Sequence, residues 1–205
     1  MVIGLKTGIF GGSFNPVHSG HVKAALAAVR QLCLDRLLVI PVFMPPHKGA
    51  DELVSSADRI NMLKLAFEGY DEVEISDIEV KQRQKSYTID TLEKLHGMYP
   101  EDEFYLLMGS DMFFTLPQWY RAEDIFKLAV TVAFCRSNDC NETKKIVEAV
   151  MKMKDKNGAF TEIVECSPFE VSSTEIREMV KMGDDTDGYV NTAVKNYIKE
   201  NGLYL

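Results

Sequence analysis

Two histidines, three residues apart, follow a pair of glycines near the start of the chain. Gly11 and Gly12 lie in the segment GIFGGSFNPVHSGH, and His18 and His21 complete it. Glycines let the backbone approach a ligand closely and adopt positive φ, and the start of a helix offers free N–H groups to an anion. Histidines at this spacing share one face of a helix, where two imidazoles could donate hydrogen bonds to a phosphate and stabilise its charge.

The same segment allows other interpretations. A plain tight turn between a strand and a helix also uses glycines, and the histidines could bind a metal or lie at the surface. A metal site needs a third ligand, and the segment contains no Asp, Glu or Cys. It matches neither a Walker A loop nor the G-x-G-x-x-G fingerprint of dinucleotide-binding proteins. Together with Ser13 and Gly20, the local chemistry favours a phosphate site.

A second polar cluster begins a helix near the other end of the chain. Ser172, Ser173 and Thr174 supply three hydroxyls, whereas simple N-capping, the alternative interpretation, needs only one. Arg177 follows within the first turn, where a cation is unfavourable for the helix dipole unless an anionic ligand offsets it. We therefore interpret this cluster as a second phosphate-binding element.

Hydrophobic patterning predicts the elements that must position these clusters. We predict strands near residues 5–10, 37–42, 73–76, 103–108, 129–135 and 161–166, with helices between or after them. One of these helices runs over about 55–69, with Ser55 as its cap and Ile60, Leu63 and Phe67 on its apolar face. The alternation predicts an α/β fold, a single doubly wound, mostly parallel sheet with helices on both faces.

In such a sheet, ligands bind beyond the carboxyl ends of the strands. That rule selects residues 11–21, 45–48, 109–111 and the loop before Ser173. Each of these places contains glycines or polar residues of the types that bind nucleotides. Their agreement is the first sign of an active site.

Composition limits the classes of protein to consider. The length of 205 residues suits one domain, 1–205, and the net charge of -8 argues against general binding of nucleic acid. The four cysteines form no C-x-x-C pair, and the longest apolar run, 37–46, is too short to span a bilayer. With no signal peptide, we expect a cytoplasmic chain with free thiols that binds neither nucleic acid nor membrane. The oligomeric state stays open, a homo-oligomer included.

The two polar clusters resemble the H-x-G-H and S-S-T-x-I-R signatures of the nucleotidyltransferase superfamily related to class I aminoacyl-tRNA synthetases. Further segments are similar to those of bacterial nicotinate-nucleotide adenylyltransferases, and the similarity covers essentially the whole chain. These segments are PPHK (45–48), SYTIDTL (86–92), GSDM (109–112), LPQWY (116–120) and YIKENGLY (197–204). The resemblance implies a Rossmann-like fold and transfer of AMP from ATP to nicotinate mononucleotide. The products would be deamido-NAD and pyrophosphate, with Mg²⁺ as cofactor, in a late step of NAD biosynthesis.

The resemblance also implies which site residues bind ATP and which bind the mononucleotide. The residues implied for ATP binding are Gly11, Gly12, Ser13, Phe14, His21, Gly109, Asp111, Ser172, Ser173, Thr174 and Arg177. Those implied for the mononucleotide are Asn15, His47, Lys48, Thr88, Trp119 and Tyr120. The residues expected to stabilise the reacting phosphates are His18, His21, Lys48 and Arg177. No protein metal ligand is predicted, and no Ser-His-Asp or Cys-His arrangement indicates a covalent intermediate.

Some positions depart from the family pattern, and other functions stay open. Ser13, Asn15 and Val17 stand where the family often has Thr, Asp and Pro, and the segment after Arg136 lacks the common Pro-Gly. The roles of Asn15 and Arg136 therefore remain undecided. The alternatives are an adenylyltransferase for the amide mononucleotide or for phosphopantetheine, and a non-catalytic nucleotide sensor. Trp119, which could instead be a packed core residue, favours a pyridine acceptor.

Overall fold

Parallel strands form the centre of the fold. The computed structural model describes residues 4–43, 53–82, 87–136, 140–167 and 171–205. Its strands are β1 (Lys6–Gly12), β2 (Arg36–Pro41), β3 (Val73–Ile75), β4 (Glu103–Gly109), β5 (Val130–Arg136) and β6 (Thr161–Cys166). They form one sheet in the order β3-β2-β1-β4-β5-β6, and all neighbouring strands are parallel. The predicted doubly wound α/β fold is therefore confirmed.

Helices cover both faces of this sheet. In the described residues they are α1 (Ser19–Leu32), α2 (Ser56–Ala66), α3 (Ile78–Gln82), α4 (Thr88–Met98), α5 (Ser110–Thr115), α6 (Ala122–Leu128), α7 (Cys140–Asn157), α8 (Ser173–Met182) and α9 (Thr192–Glu200). Adjacent strand residues point to opposite faces, so Phe10 and Ile9 of β1 belong to different core clusters. Helices α1, α2, α8 and α9 pack with Phe10, whereas α4 to α7 pack with Ile9.

The strand order creates a crevice at the centre of the sheet. From β1 the chain proceeds outward to β2 and β3, and then returns to place β4 on the other side of β1. Connections on the two sides therefore diverge beyond the carboxyl ends of β1 and β4, which is where ligands bind in such folds. Gly12 ends β1 and Gly109 ends β4, so two of the predicted ligand-binding segments border this crevice.

The structure differs from the predictions in a few elements. Three short helices, α3, α5 and α6, were not predicted, because five to seven residues are too few to show a helical period. The predicted apolar face of α2 is partly wrong: Ile60 is only half-buried, whereas Arg59 is fully buried. None of the four cysteines, all of which lie within the described residues, forms a disulfide bond. No helix within the described ranges combines the length and apolar character needed to cross a membrane.

Candidate active site

The loop from β1 to α1 is anchored through its carbonyl groups. The carbonyl of Gly12 accepts a hydrogen bond from Val42 N–H at 2.9 Å, and that of Ser13 accepts from Arg59 Nη1 at 3.0 Å. In a planar trans peptide the N–H points opposite to the C=O, so the N–H groups of Ser13 and Phe14 are directed away from these partners. In the described part of the chain, neither N–H donates to a protein acceptor. Both are therefore available to an anion.

Two further carbonyls of the same loop, those of Asn15 and Pro16, connect it to α8. Arg177 Nη1 donates to the carbonyl of Asn15 at 2.9 Å, and Ser173 Oγ donates to that of Pro16 at 2.8 Å. These partners are 162 and 157 residues apart in sequence. The structure thus brings the two polar clusters of the sequence into direct contact. A ligand at this crevice would meet the start of α1 and the start of α8 together.

The two histidine rings contact each other at the start of α1, tilted by 35°. Their ring centroids are 3.7 Å apart, and the backbone N–H of His18 donates to His21 Nδ1 at 3.2 Å. Because Nδ1 accepts, the proton of a neutral His21 ring lies on Nε2, which can donate to a phosphate. Burial lowers the pKa of His18 to about 4, and burial followed by the charge of His18 lowers the pKa of His21 well below its ordinary value. Near pH 7 both rings are neutral donors.

Aromatic packing fixes the orientation of His21. The ring of Phe14 contacts His21 edge-on with centroids 5.1 Å apart, and it contacts Phe10 in the same way at 5.5 Å. A Cβ on Gly12 would lie only 2.9 Å from the Phe14 ring, so this position requires glycine. At Gly11 a Cβ would meet no described atom within 4 Å, so that side of the backbone is open to a ligand.

The hydroxyls at the start of α8 have partners within the protein. Ser172 is the N-cap: its Oγ accepts from Glu175 N–H at 3.2 Å, and its own N–H donates to the Glu175 carboxylate at 2.7 Å. Ser173 holds the loop carbonyl described above, and Thr174 Oγ1 accepts from Arg177 Nη2 at 3.4 Å. Capping thus explains Ser172, while the other two position the loop and Arg177. Direct contact of these hydroxyls with ATP stays a prediction.

Asn15 is part of the loop from β1 to α1, and its side chain is packed in the interior of the protein. Its side chain is 2% exposed, and its Oδ1 accepts hydrogen bonds from Val54 N–H at 3.3 Å and from Tyr204 Oη at 3.0 Å. Burial raises the pKa of Tyr204, so its phenol stays protonated and donates. The amide oxygen therefore supports the loop, and the predicted contact of Asn15 with the mononucleotide remains untested.

Asp111 lies in the first turn of α5, on the β4 side of the crevice. Gly109, and not Asp111, is the N-cap of this helix. A Cβ on Gly109 would approach Asp111 Oδ1 to 2.8 Å, so the glycine leaves room for the carboxylate at the strand end. Contact of this carboxylate with ATP stays a prediction.

Three of the residues predicted for the acceptor, Thr88, Trp119 and Tyr120, belong to segments that pack on the opposite face of the sheet from α1 and α8. Thr88 is the first residue of α4. Trp119 is half-buried against the second core cluster, and its Nε1 donates to Thr115 Oγ1 at 3.1 Å. The ring of Tyr120 contacts that of Tyr87, the N-cap of α4, with centroids 4.9 Å apart. This contact brings the Trp119-Tyr120 segment beside Thr88.

Two predicted site residues, His47 and Lys48, fall outside the described residues, as does the side chain of Arg136. Within the described residues, no group of three His, Cys, Asp or Glu side chains is arranged to hold a metal ion.

One important residue, Arg59, was missed by the sequence interpretation. It begins a buried stripe on α2 that continues through Met62, Leu63 and Ala66. The signal was present in the sequence, because an arginine at a position with core spacing is unusual and indicates a charge buried for a reason. Its partner Ser13 could not be identified from the sequence.

Comparison with known proteins identifies the family of the chain. Residues 9–179 match the cytidylyltransferase-like family. The chain is 37% identical over 203 residues to a probable nicotinate-nucleotide adenylyltransferase of Clostridium tetani, which covers 97% of this chain and 98% of the relative. A second relative with the same description, from Geobacillus kaustophilus, is 37% identical over 97% of this chain and 86% of its own length.

Solved structures show the same fold. The nicotinic acid mononucleotide adenylyltransferase of Plasmodium falciparum, solved in complex with NaAD, superposes with a TM-score of 0.79. The comparison covers 98% of this chain and 97% of that one at 18% sequence identity. The fold and the near full-length sequence matches agree: the chain belongs to the cytidylyltransferase-like family, among the nicotinate-nucleotide adenylyltransferases.

Proposed function

We propose that this protein transfers AMP from ATP to nicotinate mononucleotide, producing deamido-NAD and pyrophosphate. The observation that carries the proposal is the direct hydrogen bonding of Arg177 and Ser173 to the loop that leads to His18 and to His21 at the start of α1. It assembles one phosphate-binding crevice from two distant parts of the chain. The names of the relatives, which are probable nicotinate-nucleotide adenylyltransferases over nearly the full length, support the choice of acceptor.

The proposed reaction is a single in-line displacement. An oxygen of the 5′-phosphate of the mononucleotide attacks the α-phosphorus of ATP and forms a new P–O bond. The bond from the α-phosphorus to the oxygen bridging the α- and β-phosphates breaks, and pyrophosphate leaves with that electron pair. Because the attacking phosphate is already anionic near pH 7, no general base is required. The contribution of the protein is to position the reactants and stabilise charge.

The crevice offers fixed donors for that purpose. The N–H groups of Ser13 and Phe14, the Nε2–H of His21 and the guanidinium of Arg177 are held by their own partners before any ligand binds. Donors that need no reorganisation stabilise the transition state more than mobile ones. The ring of His18 contacts that of His21, and His18 is proposed to donate to the same phosphates. Lys48 is also proposed to approach these phosphates.

The start of α4 supports an acidic pyridine acceptor. The first N–H groups of a helix have no partner inside the helix, and the helix dipole adds positive charge there. Thr88 contributes a hydroxyl at this place, beside the Trp119-Tyr120 segment. A carboxylate on the ring would be stabilised by these donors, and the indole of Trp119 would stack on the ring. We propose that this arrangement prefers nicotinate to nicotinamide mononucleotide.

Mg²⁺ is the proposed cofactor, and the residues at the crevice fit it. Mg²⁺ prefers oxygen ligands and usually keeps several waters when it binds with a nucleotide. Asp111 offers one carboxylate at the end of β4, and the phosphates of ATP would supply further oxygens. When bound, the ion would reduce the negative charge on the phosphate oxygens.

The test is product formation from purified protein with Mg-ATP. Nicotinate mononucleotide, nicotinamide mononucleotide or no acceptor would be added, and pyrophosphate and dinucleotide would be measured separately. We expect both products, with higher kcat/KM for the acid. A preference for the amide would identify a different adenylyltransferase. ATP binding without release of pyrophosphate in the presence of either mononucleotide would identify a nucleotide sensor and would contradict the proposal.

A further inference from the structure

A buried arginine lies directly behind the phosphate-binding loop. Arg59, on α2, is 1% exposed, although arginine is among the residues least often buried completely. Burying a guanidinium removes it from water, so its hydrogen-bond donors must be satisfied within the protein. The identity of its acceptors therefore indicates what the residue holds in place.

The acceptors of Arg59 belong to three separate segments of the chain. Nη1 donates to the carbonyl of Ser13 at 3.0 Å and to that of Val42 at 2.8 Å. Nε donates to the carbonyl of Val54 at 3.4 Å, and Nη2 donates to Ser56 Oγ at 3.0 Å. One planar group thus joins the phosphate-binding loop, the end of β2 and the start of α2.

All four of these acceptors are neutral. The ion pairs among the described residues do not include Arg59. A buried charge without an opposite charge is unfavourable, whereas a hydrophobic residue of similar size would often be neutral or stabilising there. Such a charge is expected where its geometry or its field serves the site. Here the nearest functional element is the loop that carries Ser13.

We infer that Arg59 is a positioning residue for the proposed adenylyl transfer. By fixing the carbonyl of Ser13, it directs the N–H of the same peptide, that of Phe14, toward the ligand side of the loop. By bonding Val42 as well, it fixes that peptide relative to the end of β2. The inference rests on the proposed function only for its kinetic consequence, because the hydrogen bonds exist without a ligand.

The variant Arg59→Lys tests this role, because it keeps the charge but cannot reach four acceptors in three segments. Arg36→Lys is the matched control. Arg36 is also largely buried, and its Nη2 bonds the Asp102 carboxylate at 2.6 Å, but it lies at the beginning of β2, at the end of the sheet opposite to the crevice. Both variants remove the hydrogen bonds of a guanidinium group, but only Arg59 contacts the loop.

Two readouts separate positioning from general stability. Steady-state kinetics should show kcat lower by about ten- to a hundredfold in Arg59→Lys, with KM for ATP within about threefold, because a transition-state interaction is lost. Arg36→Lys should keep kcat within about twofold of the parent at a temperature where both are folded. Hydrogen exchange without ligand should accelerate across residues 12–18 in Arg59→Lys only.

The outcomes distinguish this inference from the proposed function. If the parent makes no dinucleotide, the proposed function fails. Faster exchange of the loop confined to Arg59→Lys would still support the role of Arg59 in positioning the loop. A folded Arg59→Lys with kcat within about twofold of the parent, or with loop exchange equal to that of Arg36→Lys, would overturn the inference.

If Arg59→Lys does not fold, Ser56→Ala replaces it. That change removes one acceptor of the guanidinium and leaves both the charge and the Ser55 cap of α2 in place. It should lower kcat by about three- to tenfold and accelerate exchange of the loop, since a looser guanidinium holds Ser13 less firmly. Unchanged kcat and exchange in Ser56→Ala would also count against the inference.

Discussion

The phosphate side and the acceptor side of the crevice are held in different ways. On the phosphate side, the hydrogen bonds that anchor the loop at Asn15 join residues 162 and 189 apart in sequence. On the acceptor side, the indole of Trp119 bonds to Thr115, only 4 residues away, and Tyr120 is 58% exposed. The loop on the phosphate side is therefore held by hydrogen bonds from distant parts of the chain, whereas the hydrogen bond of the Trp119 indole stays within a local turn.

This difference fits the chemistry that each side is proposed to perform. Stabilising charge on a transferring phosphate requires donors that are in place before the reaction, and long-range bonds keep them there. Stacking on a flat ring tolerates small movements, so a locally held aromatic segment is sufficient. The comparison predicts that changes on the phosphate side reduce kcat and that changes on the acceptor side raise KM for the mononucleotide.

The largest effect is expected at the centre of the phosphate side. His21→Ala should reduce kcat/KM by about a hundred- to a thousandfold, because it removes a fixed donor to the reacting phosphates. The melting temperature and the steady-state kinetics would be measured on the same preparation. His96→Ala is the control, since His96 lies on α4 and bonds the carbonyl of Leu128. Kinetics of His21→Ala close to those of the parent would remove this residue from the site.

The pH dependence of stability reports on the buried histidine pair. The pKa of His18 falls from 6.5 to about 4 on folding, so the unfolded chain takes up this proton at higher pH than the folded chain. The resulting stability is present above pH 6.5 and decreases as pH falls toward 4, by about 3 kcal/mol. Urea unfolding of the parent and of His18→Gln between these pH values checks this. Equal pH slopes for the two proteins would contradict it.

A moderate effect with a different kinetic signature is expected on the acceptor side. Trp119→Ala should raise KM for nicotinate mononucleotide by about tenfold or more, because stacking on an aromatic ring contributes about 1–3 kcal/mol. KM for ATP should stay nearly constant. Trp119→Phe keeps a ring and should recover most of the affinity. An equal rise in both KM values would mean that the two sides are not separable.

The smallest effect tests the outermost support of the loop. Tyr204→Phe removes the hydroxyl that bonds Asn15 Oδ1 and should lower kcat/KM about three- to fivefold, which corresponds to about 1 kcal/mol for one hydrogen bond. Tyr197→Phe is the matched control, because its hydroxyl bonds Asp58 at 2.9 Å and does not reach the loop. Similar losses of activity in both variants would show a general effect of the C-terminal segment.

The sequence predicted those parts of the fold that depend on local patterns. β6 has the bounds predicted for it, 161–166, and a helix begins at the polar cluster of residues 172–177, as expected. Alternating strands and helices also predicted the crevice, because the rule for parallel sheets places ligands at the carboxyl ends of the strands. The two polar clusters were singled out as candidates because each combines unusual residue types within a few positions.

The remaining features depend on contacts between distant residues. The bond from Arg59 to Ser13 spans 46 residues, and no local pattern in the sequence specifies which carbonyl a buried arginine will meet. Asn15 resembled a ligand-binding residue because it lies inside a signature, yet its side-chain oxygen is bonded by Val54 and Tyr204. The sequence thus indicated which residues meet at the crevice, but not which of them support the loop.

A double-mutant cycle tests most directly whether the two distant clusters act on one phosphate group. His21→Ala, Arg177→Ala and the double variant would be compared by kcat/KM, with His21→Ala and Trp119→Ala as the control pair. We predict that the double variant loses less than the sum of the single losses, with a coupling above about 1 kcal/mol, and that the control pair is additive. Additive losses for His21 and Arg177 within about 0.5 kcal/mol would show that they act independently and would contradict a single phosphate site.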